Sequence, residues 1–169
     1  MESVLKIDLL IILIFGINAL NTEEKLYKSI SMKEFFGCTI LGIVLNIVIS
    51  FTISLLPPNI TSDYDVMMKQ DRAESLYLIF FTCVIAAPMA EEIIFRRCIC
   101  NWFYNEKVGI FASAFAFGLA HMNLIQSTYT FLSGLLFAYL YKKKNNLTIP
   151  TLIHIAINGT SFLFTYFIE

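Results

Sequence analysis

Apolar residues collect along this chain in long blocks separated by short polar stretches. A bilayer core takes ~20 helical residues to cross, and six blocks approach that length: 4–20, 35–56, 75–100, 108 to just past His121, 125–141 and 147–168. The second is uncharged and stopped by Pro57 and Pro58; the fifth is closed by Lys142, Lys143 and Lys144. The first carries Asp8 and Asn18 and reads as a short span or an anchor, not as a secretory signal, because Lys6 stands alone against Glu2 and Asp8. The pattern predicts an all-α fold: a polytopic membrane helix bundle of about six transmembrane helices, with residues 1–169 as a single integral membrane domain. Residues 22–33 read as a short interfacial helix and 57–74 as a polar, acidic loop.

The polar residues inside those blocks change the picture. Block three holds Glu91, Glu92 and Arg96, block four ends on His121, and block six holds His154 and Asn158. The chain has two histidines in all, and both sit at membrane depth. An Asp, Lys or Arg at a membrane-helix centre costs at least ~2.5–3.5 kcal/mol, so retained ionisable groups point to function. Composition agrees with a lipid environment, at 57% hydrophobic and 15% charged residues against ~45–50% and ~25% for an ordinary soluble domain. A net charge of −1 gives no reason to expect a nucleic-acid partner; membrane lipids are the expected surroundings. Cys38, Cys83, Cys98 and Cys100 read as small membrane-helix residues, since the spacing of Cys98 and Cys100 fits no common metal knuckle.

Basic residues set the expected orientation. One side of the bundle holds Lys25, Lys28, Lys33, Arg97, Lys107 and Lys142, Lys143 and Lys144; the other holds Lys6, Lys69 and Arg72 among several acids. The lysine-rich side is therefore expected to be cytoplasmic. A rise of 1.5 Å per residue puts Glu91 roughly 14 Å from the cytoplasmic end of its span, His121 roughly 20 Å, His154 roughly 10 Å and Asn158 roughly 16 Å into theirs. Three helices thus carry polar groups to a similar depth, as a single site requires.

Helical spacing separates the two glutamates. Glu92 and Arg96 stand four apart on one face and are the natural ion pair, whereas Glu91 is turned away by roughly 100° and is left to face a cavity. Pro88 lacks an N–H and is expected to kink the helix and open room for water beside Glu91. Phe117 and His121 share a face, as do His154 and Asn158, and the small residues Ala112, Ser113, Ala114, Ala116, Gly118 and Ala120 permit close helix packing. His154 and Asn158 offer donors for a developing oxyanion. The plain alternatives are an ion-pair network that fixes packing and polar glue between helices.

Taken in order, Glu91-Glu92-Ile93-Ile94-Phe95-Arg96, Phe117-Gly118-Leu119-Ala120-His121 and His154-Ile155-Ala156-Ile157-Asn158 resemble the motifs of the CAAX prenyl protease and bacteriocin-processing family of intramembrane proteases. The resemblance covers about residues 75–167. It implies an intramembrane endopeptidase in which Glu91 is the general base on a water, His121 positions that water, His154 and Asn158 stabilise the oxyanion, and Glu92 and Arg96 support the site. No cofactor is expected; the zinc alternative would draw on Glu91, His121 and His154, leaving no base but Glu92. The implied substrate is a peptide or lipidated protein, processed at a bacterial plasma membrane in bacteriocin or pheromone maturation or in self-immunity. The competing classes are a non-catalytic membrane regulator or immunity protein acting through the same bundle, and a transporter, for which no inverted repeat is evident.

Overall fold

The structure is a computed structural model that describes residues 27–57, 61, 75–121 and 123–168, and among these there is helix and no strand. Helix α1 spans Met32–Ser54. Its start is dictated by Ser31, whose hydroxyl accepts the Glu34 N–H at 3.2 Å while the Glu34 carboxylate accepts the Ser31 N–H at 3.1 Å, a reciprocal cap that satisfies two otherwise orphaned donors. Helix α2 spans Leu76–Trp102 and is not uniform. Two stretches of wide, i→i+5 turns, Phe80–Ala86 and Ile93–Ile99, flank an ordinary helical stretch, Ala87–Glu92. Such turns are rare and concentrate at functional sites.

Helix α3 (Glu106–Leu119) is capped by Asn105, and α4 (Leu124–Lys144) by Asn123. The three lysines that close α4 face its negative dipole end, and Asn145 ends it in the left-handed region at φ 45°. Helix α5 (Thr148–Leu163) takes Pro150 in its first turn, where no N–H is missed, and runs on through wide turns over Phe164–Ile168.

Blocks two to six therefore appear as helices close to their predicted positions. Two of them, α1 and α2, are long and apolar enough to cross a membrane; α3 and α5 have 14 and 16 residues. Block one, at 4–20, lies outside the described residues. The expected interfacial helix over 22–33 is corrected where it is described. Residues 27–31 are not helical, because the Ser31 cap starts α1 only at Met32 and the Lys28 backbone is held elsewhere. Asn146 Oδ1 accepts the Lys28 N–H at 3.1 Å, and the Thr148 hydroxyl donates to the Lys28 carbonyl at 2.8 Å. Block four also stops early, with Ala120 and His121 in a turn after α3.

Glycines set how closely the helices approach. A Cβ on Gly42 of α1 would lie 2.5 Å from Ala156 Cβ and 2.6 Å from the Ile153 carbonyl of α5, and one on Gly134 of α4 would lie 3.2 Å from Ala114 Cα of α3. The core at the centre comprises Phe95, Phe117, Phe137, Ile149, Ile153 and Ile157. Outward, α1 exposes Phe36, Ile40, Val44, Ile47, Val48 and Phe51, an apolar face of the kind that lipid covers. The start of α1, the end of α2, the end of α4 and the start of α5 meet at one end of the bundle. There Lys144 reaches Glu34 at 3.4 Å, and Asn101 accepts from the Lys142 ammonium at 2.7 Å and donates its amide to the Tyr141 hydroxyl at 2.8 Å.

Candidate active site

Helix α2 supplies the acidic pair. Glu92 and Arg96 are both fully buried and joined by two hydrogen bonds, from Nε at 2.9 Å and Nη2 at 3.3 Å. Spacing alone pairs them, and the surroundings make the pairing obligatory, since a buried ion left without its partner costs several kcal/mol. The guanidinium lies over the rings of Phe117, at 4.8 Å, and Phe137, at 5.5 Å, a placement that suits a delocalised cation.

His154, from α5, is held between the two glutamates. Its Nδ1 is 3.1 Å from Glu92 Oε1 and its Nε2 is 3.6 Å from Glu91 Oε2. Because Arg96 holds Glu92 as a carboxylate, which only accepts, Nδ1 must carry the proton of that bond. Only Nε2 then faces Glu91. The ring is also seated against Phe137, centroids 5.3 Å apart, and against the edge of Phe117 at 5.6 Å. Glu91 keeps 29% of its side chain accessible while Glu92 keeps none, which separates the two acids as their helical phase predicts.

His121 is oriented by its own motif. Its Nδ1 lies 2.9 Å from the Phe117 carbonyl, an acceptor, so this nitrogen too is the protonated one. The Phe117 and His121 rings meet edge to face at 5.0 Å. Phe117, 1% exposed, thus touches Arg96, His121 and His154 at once, which explains a phenylalanine four residues before a histidine. Both histidines commit Nδ1 to protein acceptors and leave Nε2 for other work.

Asn158 stands apart from the ion pair. Its amide donates to the Cys83 carbonyl at 2.9 Å, inside the first wide stretch of α2. The second wide stretch is used the same way, with the Ser113 hydroxyl donating to the Phe95 carbonyl at 2.7 Å. Pro88, fully buried, follows the first of these stretches, so the relief expected as a kink takes the form of widened turns. Ser113 and Phe137 were not singled out for chemistry by their sequence positions. Nothing short of the contacts identifies them, because a serine among alanines and an aromatic in an apolar block read as packing.

Residues 73–160, just over half of the chain, match the family described as type II CAAX prenyl endopeptidase Rce1-like. The chain belongs to the Rce1-like family. Within the Rce1-like stretch fall Glu91, Glu92, Arg96, His121, His154 and Asn158, whereas α1 lies before it. A protein of Bacillus subtilis (strain 168), named as a candidate membrane peptidase, YdiL, is 30% identical over 91 residues, covering 52% of this chain. The matched part is 37% of that relative's length. No solved structure matches the chain. The ligand set Glu91, His121 and His154 does not converge here: among the described residues no three His, Cys, Asp or Glu side chains are grouped to hold a metal ion.

Proposed function

We propose that this chain is an intramembrane endopeptidase of the glutamate-dependent kind, acting from the cytoplasmic side of a multi-pass bundle on a peptide or on a lipidated protein tail. The observation that carries the reading is the placement of His154 between a fully buried Glu92–Arg96 pair and a partly accessible Glu91, which leaves one carboxylate unclaimed by the arginine and next to an imidazole nitrogen. Family membership supports a peptidase independently of that geometry.

In this reading Glu91 takes a proton from a water positioned with the help of His121 Nε2, and the water oxygen bonds to the scissile carbonyl carbon. The resulting oxyanion is met by the second amide hydrogen of Asn158 and by His154 Nε2, whose donation requires the doubly protonated ring because Nδ1 already gives its proton to Glu92. Glu91 then returns the proton to the amide nitrogen as the C–N bond breaks. Glu92 and Arg96 hold His154 in place, and no metal takes part. Maturation of a bacteriocin or pheromone precursor, or self-immunity, is the role that suits such a peptidase in a bacterial membrane.

The test is hydrolysis of membrane-presented peptides by the purified, reconstituted protein. Glu91→Gln should lose all measurable turnover while inserting and accumulating normally, and wild-type turnover should survive exhaustive chelation. Turnover by Glu91→Gln near that of the wild type removes Glu91 as the base, and a wild type that cleaves nothing returns the chain to the non-catalytic regulator class; loss of activity to chelator, restored by zinc, replaces the metal-free step.

A further inference from the structure

The hydroxyl of Ser113 occupies no position in the three motifs, yet it is fully buried at the point where α3 meets α2. It donates to the Phe95 carbonyl at 2.7 Å and accepts from Arg96 Nη1 at 3.0 Å. A serine hydroxyl has one hydrogen to give, so that hydrogen is spent on the carbonyl and a lone pair is spent on the guanidinium. Both partners are chemically telling. Phe95 lies in the wide turns of α2, and Arg96 is the residue whose other edge grips Glu92.

We propose that Ser113 is a positioning residue of this site, fixing the Arg96 guanidinium so that Glu92 holds His154 Nδ1 and presents Nε2 to Glu91. The chain of contacts is continuous: Ser113 Oγ to Arg96 Nη1, Arg96 Nε and Nη2 to Glu92, Glu92 Oε1 to His154 Nδ1, and His154 Nε2 across 3.6 Å to Glu91. Arg96 cannot settle by its Glu92 edge alone. Its face is taken up by Phe117 and Phe137, and rings offer no lone pair to Nη1. Without the hydroxyl, Nη1 is a buried donor facing hydrocarbon, and rotating the guanidinium to satisfy it pulls on Glu92. Close approach of α3 to α2 makes the contact possible, since a Cβ on Gly109 of α3 would run into the Cys100 carbonyl of α2.

The kinetic part of this proposal rests on the peptidase reading; a spectroscopic part does not. With two histidines in the chain, ¹⁵N-imidazole labelling gives two sets of ring signals. Ser113→Ala should shift the His154 Nδ1 signal and leave His121, held by the Phe117 carbonyl, in place. In the reconstituted protein it should lower kcat roughly ten- to a hundredfold, the scale of a lost hydrogen bond to a charged group, with KM within about twofold of the wild type. Unchanged His154 signals, or a wild-type kcat in folded protein, overturns the proposal. Should Ser113→Ala fail to accumulate, Ser113→Cys keeps the side-chain shape, slightly enlarged, with a poor hydrogen-bonding group and carries the same expectations and the same refutations. A shifted His154 signal in a protein whose wild type cleaves nothing refutes the peptidase reading and leaves the Ser113 link intact.

Discussion

Buried without accessible surface and laid against Phe117, Arg96 must satisfy its charge with side chains alone. Arg96→Ala should therefore do more than lower turnover. It strands Glu92, and breaking a buried pair from one side costs ~3–5 kcal/mol, so detergent melting should fall well below that of the wild type. Asn158→Ala is expected to behave differently. It should reduce kcat by about 10²–10³, the usual scale for an oxyanion donor, with KM nearly unchanged in steady-state kinetics; a raised KM with kcat intact would assign the amide to substrate binding. At this scale the sequence was legible where partners are neighbours in helical phase. Glu92 with Arg96, and Phe117 with His121, can be read from a spacing of four. Ser113 and the Cys83 carbonyl could not be read, because a hydroxyl among alanines carries no period and a backbone acceptor carries no residue type.

Helix α2 joins the local chemistry to the helices around it. Each of its wide stretches turns a carbonyl toward a neighbour, Cys83 toward Asn158 of α5 and Phe95 toward Ser113 of α3, so the two flanking helices are registered against the glutamates from both sides. Apolar block length predicted that such a helix exists but says nothing of how its turns are wound. The junction of α1 with α5 is set by a different device, the missing side chain at Gly42. Gly42→Leu should force these helices apart, at an overpacking cost of ~1–3 kcal/mol, whereas Gly37→Ala, with nothing within 4 Å of the added carbon, should keep the melting temperature or raise it slightly, since alanine favours helix over glycine. Equal melting of the two variants would show that α1 does not bear closely on α5. Asn46 supports the same junction, its amide donating to the Ile157 carbonyl at 3.2 Å and the Ser161 hydroxyl at 2.7 Å.

For the molecule as a whole, the alternation of helices brings the basic segments together. Lys142 and Lys144 meet the end of α2 and the start of α1 at one pole, the arrangement that the loop charges anticipate. Cysteine tags at residues 142–146 should be labelled only from the cytoplasmic side, and tags at residues 59–74 only from outside; the reverse pattern would overturn the orientation and the cytoplasmic approach to Glu91. The contacts of α1 carry a last consequence. It precedes the stretch matched by the family, supplies none of the motif residues, and meets α5 through the small notch at Gly42 and the amide of Asn46, while most of its circumference faces outward. Such a helix is a cladding laid against the motif-bearing helices. Its outward residues touch none of the motif side chains, so this one segment can be resurfaced for a bilayer of another thickness or composition with the Glu92–Arg96–His154 contacts left as they are.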